Sequence, residues 1–71
     1  MIVTPQQAEK LLCGNQSFSQ LGFSMMVTRL KTLYAKNPSP STLQTCVAEI
    51  NIFLEKFKIL MGADYEIITN L

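Results

Sequence analysis

Apolar residues recur along this chain with the 3.6-residue period of an α-helix, in three runs set apart by sharp breaks. The first run is short. Ala8, Leu11 and Leu12 form one stripe, preceded by Thr4-Pro5-Gln6-Gln7. Thr4 suits the N-cap, Pro5 the first helical position, and Gln7 closes a capping box. Val3 before the cap and Ala8 one turn on complete a hydrophobic staple. Gly14-Asn15 stops the helix, which spans about residues 5–13.

The second run opens at Ser17-Phe18-Ser19-Gln20, a second capping box. Phe23, Met26, Val27, Leu30, Leu33 and Tyr34 then share one face, with Arg29, Lys31, Thr32 and Lys36 on the flanks and back. This predicts a helix over 18–36. Asn37-Pro38-Ser39-Pro40-Ser41 ends it, because proline lacks the N–H a helix interior needs and disfavours helix in the residue before it. Ser41 with Gln44 gives a third capping box. Beyond it Leu43, Cys46, Val47, Ile50, Phe53, Leu54, Phe57, Leu60 and Met61 line one face. The helix runs over 41–61. Tyr65, Ile68 and Leu71 keep the same phase, so the expectation is continuation past Gly62 to about residue 70. The alternative is a short strand at Tyr65–Thr69, on β-propensity alone.

A short loop makes two helices antiparallel neighbours. Folding the chain at Asn37–Pro40 pairs Tyr34 with Leu43, Leu30 with Val47, Val27 with Ile50 and Phe23 with Leu54. Every pair is apolar on both sides, which favours this register over any other. The third helix then overshoots the second, and the first helix is expected to cover the overshoot, with Leu11 and Leu12 near Met61, Tyr65 or Ile68. The fold class is all-α: a three-helix unit on a long antiparallel αα-hairpin, one domain over 1–71. In this arrangement Cys13 and Cys46 sit about 18 residues apart along the hairpin, ~27 Å at the helical rise. A disulfide needs Cα atoms within roughly 7 Å, so no bridge is expected.

A second apolar stripe stands outside this scheme. Ala48, Ile52 and Ile59 point roughly 160–200° away from Ile50 on the third helix. Phe18, Leu21 and Met25 repeat the pattern on the second. A hairpin contact covers one face of each helix, and an uncovered apolar patch on so small a chain is an aggregation hazard. Met25, Ala48, Ile52 and Ile59 are therefore the candidate partner-binding residues. The other reading is that the first helix and the C-terminal segment cover them.

Size sharpens the point. A chain of 71 residues supplies a core of only about 3–5 kcal/mol and usually needs a disulfide, a metal or a partner. There is no His, no C-x-x-C pair and no run of 18 apolar residues, so metal, cofactor and membrane are poor candidates. Met1–Pro5 has neither the charged nor the long apolar region of a signal peptide. The two cysteines read as reduced thiols, and the cytoplasm as the compartment. A protein partner, or a second copy in a homodimer, is left.

Catalysis finds little footing. The acids Glu9, Glu49, Glu55, Asp64 and Glu66 form no pair suited to acid–base work, and no His stands ready to activate a nucleophile. Cys13 falls at a helix C-terminus, where the dipole disfavours a thiolate. The expectation is a non-enzyme without a small-molecule substrate. The competing class is a small helix-turn-helix DNA binder presenting Ser24, Thr28, Arg29 and Lys31. A formal net charge of +1 is a thin supply for phosphate contacts.

Overall fold

The computed structural model describes residues 2–71. The chain is all-α. Four helices follow one another: α1 (Pro5–Cys13), α2 (Leu21–Lys36), α3 (Pro40–Met61) and α4 (Ala63–Thr69). The α2–α3 hairpin is the frame, α1 lies against both of its arms, and α4 packs on α3 and α1.

Local chemistry sets most of the boundaries. At α1 the capping box forms as expected: Thr4 Oγ1 accepts from the Gln7 N–H at 3.2 Å, and Gln7 Oε1 accepts from the Thr4 N–H at 3.0 Å. The helix ends at Gly14, where a β-carbon would sit 2.7 Å from the Lys10 carbonyl oxygen. α2 starts later than the Ser17 box implies. Gln20 is its N-cap and its own side chain accepts from the Phe23 N–H. Ser19 and Gln20 stay outside the helix because their N–H groups donate to the Asp64 carboxylate, at 2.9 and 2.7 Å. α3 starts earlier, capped by Ser39 rather than Ser41, because Pro40 occupies the first helical position, where a missing N–H costs nothing.

The register inside the hairpin is the one the apolar pairs imply. Phe23 stacks on Phe53 with ring centroids 5.4 Å apart, and Arg29 reaches Glu49 at 3.1 Å. Phe23, Val27, Leu30, Val47, Ile50 and Leu54 are all buried. Full burial of each such side chain contributes about 1.5–3 kcal/mol relative to exposure.

Three expectations need correction. The third helix does not continue past Gly62. Gly62 adopts φ 53°, ψ −127°, which breaks the helix and starts α4 on a new axis. The residues after the break are helical, so the strand alternative fails as well. Leu60 and Phe57, expected in the core, are exposed. Phe57 leaves helical geometry at φ −122°, ψ 23°, and this kink turns the last residues of α3 away from the core face.

The third correction concerns α1. It does not cap the far end of the hairpin. Its C-terminal end lies beside the loop half, where the Tyr34 hydroxyl donates to Glu9 Oε2 at 3.0 Å and Lys31 Nζ to the Gly14 carbonyl at 2.6 Å. α4 instead folds back to meet α1: Gln7 donates to the Thr69 carbonyl and Lys10 to the Leu71 carbonyl. Cys13 is therefore at the same end of the hairpin as Cys46. The ~27 Å separation drawn from the helical rise does not hold. Both thiols are free, Cys13 exposed and Cys46 buried.

Asn51 explains why α1 settles there. It lies on the buried side of α3, and its Oδ1 accepts from the N–H groups of Ile2 and Val3, both at 2.8 Å. Its Nδ2 donates to the Val3 carbonyl at 3.2 Å. One side chain thus satisfies three backbone groups and fixes the entry to α1 against the middle of α3.

Candidate functional site

α3 has two flanks, and the structure treats them differently. The flank toward α1 is partly covered by Val3, Ala8, Leu11 and Asn51. A shallow groove of about 490 Å³ remains there, lined by Pro5, Gln44, Val47, Ala48, Asn51 and Glu55. The flank toward α2 stays open. There Met26, Glu49, Ile52, Phe53, Lys56 and Phe57 line a cleft of about 240 Å³.

At the α2 side of the cleft Gly22 lies beside the Phe53 ring, which a β-carbon there would meet at an ordinary contact distance of 3.6 Å. Phe53 then forms the floor, stacked between Phe23 and Phe57, whose centroids lie 5.4 and 4.8 Å away. Large apolar side chains stand above this floor in water: Ile52 is 53% exposed and Phe57 39%. Met25 is 64% exposed but lies outside the cleft lining; Met26 is the α2 residue that contributes to it.

The rim is charged and lopsided. Glu49 Oε1 accepts from Arg29 Nη2 at 3.1 Å, while among the described residues Glu49 Oε2 and Lys56 Nζ have no hydrogen-bond or ion-pair partner. The Arg29–Glu49 bridge is solvent-exposed and stabilises by no more than about 1 kcal/mol.

The sequence-derived candidates separate on this map. Met25, Ala48, Ile52 and Ile59 are all exposed. Ile52 lines the α2-side cleft. Ala48 faces the α1-side groove instead. Ile59 is 95% exposed but lies beyond the Phe57 kink, on a separate turn with Leu60. The α3 stripe is thus split rather than continuous. Phe18, grouped with Met25 by spacing, packs edge-on against Phe23 at 5.0 Å and belongs to the core. Phe57 belongs to the open face, although periodicity put it in the core, and its kink is the reason. Met26 is partly buried against the core, as periodicity implied, and also lines the cleft.

Other chemistry stays structural. Asp64 is buried, with both oxygens held by backbone N–H groups. The Cys46 thiol is pushed up by burial and by Glu49, with Arg29 opposing. The Tyr34 phenol is pushed up by its hydrogen bond to Glu9, with burial and the nearby Glu9, Cys13 and Cys46 adding to it. Among the described residues no three His, Cys, Asp or Glu side chains gather as a metal site would require, and no helix is long and apolar enough to cross a membrane.

Comparison of the chain with protein-family models, curated proteins and solved structures gives no match. The class that fold and face define is an all-α helical bundle with an uncovered apolar face on one hairpin.

Proposed function

We propose that this chain is a small helical protein-interaction module, an adaptor, small chaperone or regulatory subunit, that works by burying the α2–α3 face against another protein surface. The observation that carries this reading is that Ile52 and Phe57 stand in water over the Phe53 ring in the α2-side cleft, while on the opposite flank Asn51 clasps the N-terminal segment. A helix-lined apolar cleft with a charged rim suits an amphipathic helix laid into it. The module needs no cofactor and no small-molecule substrate, and it carries no catalytic residues. The cytoplasm is its proposed compartment, since an exposed free thiol such as Cys13 persists where thiols are kept reduced.

The DNA-binding alternative has less behind it. Arg29 is committed to Glu49 and Lys31 to the Gly14 carbonyl, which takes two cations from the surface it would use.

A photo-crosslinking amino acid in place of Ile52, in the cells that make the protein, tests the reading. A discrete protein adduct is expected at position 52 and not at the exposed α1 position Gln6. Absence of an adduct at 52, or equal adducts at both, would overturn it.

A further inference from the structure

The occupant of the face can be named from its charges. In a two-fold contact, if residue i of one copy meets residue j of the other, then j also meets i, so the surface has to complement itself. On α3, Glu49 and Lys56 stand seven residues apart, two helical turns, on the same line of the helix and on the same cleft rim. Their midpoint falls between Ile52 and Phe53. An antiparallel α3 about an axis through that midpoint puts Glu49 opposite the other copy's Lys56, and Lys56 opposite its Glu49. Ile52 and Phe53 meet at the centre. A parallel docking would set Glu49 against Glu49 and Lys56 against Lys56.

 

We infer that this face is the interface between two copies of the chain, docked antiparallel on a two-fold axis through the Ile52–Phe53 midpoint. The inference rests on the α2–α3 face being an interaction surface. The unpartnered atoms fit it. Of the charged groups without a partner among the described residues, Glu49 Oε2 and Lys56 Nζ are two that line the cleft, and the symmetry pairs them. Glu49 would then sit between its own Arg29 and the second copy's lysine, with one oxygen for each. The axis also falls within the regular part of α3, before the Phe57 kink, where straight helices pack along their length. Apolar side chains at the centre with charges at the rim match the anatomy of protein interfaces.

Light scattering on a sizing column, over a dilution series with reductant present, reads the mass directly. The wild-type chain is expected to pass from a dimer of twice its 8.0 kDa to monomer on dilution. Glu49→Lys alone and Lys56→Glu alone each set like charges opposite one another, and each is expected to raise the dissociation constant about tenfold or more. An equimolar mixture of the two variants restores both attractions, so it is expected to recover the dimer mass. Circular dichroism on each variant confirms that the helices persist. Three results would overturn the inference: a wild-type monomer at every concentration, a dimer indifferent to the single reversals, or a mixture that fails to recover. A wild-type monomer that still gives a foreign adduct at position 52 would overturn the second copy and leave the interaction module standing. A monomer with no adduct would remove both.

Discussion

The two flanks of α3 are built from similar side chains and end in different surroundings. Toward α1, Asn51 is buried, and its amide holds three backbone groups of the N-terminal segment in place. Toward α2, Ile52 and Phe57 stay exposed over the Phe53 ring, and the polar link on that side, Arg29–Glu49, is itself in water. Apolar character alone does not decide what is covered. A buried hydrogen-bonding group beside the apolar stripe recruits a particular segment, and an exposed ion pair does not.

That contrast can be broken most severely at the core. Leu54→Ala removes a fully buried side chain and is expected to cost about 3 kcal/mol, enough to unfold much of so small a domain. Ile52→Ala on the open flank is expected to change monomer stability by less than about 0.5 kcal/mol. Urea titration of both variants, at concentrations where the chain is monomeric, checks the difference. Equal losses would mean that Ile52 is part of the fold.

The clasp comes next. Asn51→Leu leaves the Ile2 and Val3 N–H groups and the Val3 carbonyl without their partner, at an expected cost of about 2–3 kcal/mol. Faster amide exchange should concentrate in α1. Asn51→Asp still accepts from both N–H groups but cannot donate to Val3, and the loss should be smaller.

Gly62→Ala is expected to cost about 1–2 kcal/mol through the backbone alone. A side chain rarely adopts φ 53°, and nothing lies within 4 Å of the added carbon. Faster exchange in α4, with α1 and α2 little changed, is the signature.

The smallest effect is alkaline. The folded pKa of Tyr34 lies above its ordinary value of 10.0, chiefly through the Glu9 hydrogen bond. The neutral phenol's contribution is therefore complete below pH 10 and is lost as the pH rises through the folded value. Tyr34→Phe should remove that part of the alkaline decline in stability, followed by thermal melts at stepped pH.

Much of the hairpin was legible because its determinants are local. Helix period, the Thr4 capping box and the diproline break need only residues a few positions apart. Four apolar pairs then fix the register. What escaped the sequence depends on contacts between distant residues. Asn51 binds Ile2 and Val3 across almost the whole chain, and Asp64 reaches back to Ser19 and Gln20. No periodicity encodes such bonds. They set the place of α1, the late start of α2 and the fold-back of α4. The site was half legible for the same reason. Ile52 followed from spacing, but the Phe57 kink moved Ile59 off the face, Ala48 fell to the other groove, and Met25 is exposed outside the cleft lining.

The most direct measurement of the central claim is methyl NMR of the wild-type chain over a concentration series. Shifts are expected at Met26 and Ile52, with the Val3, Leu11 and Leu12 methyls on the α1 side unmoved. Shifts confined to the α1 side, or none at any concentration, would contradict a self-association through the α2-side cleft.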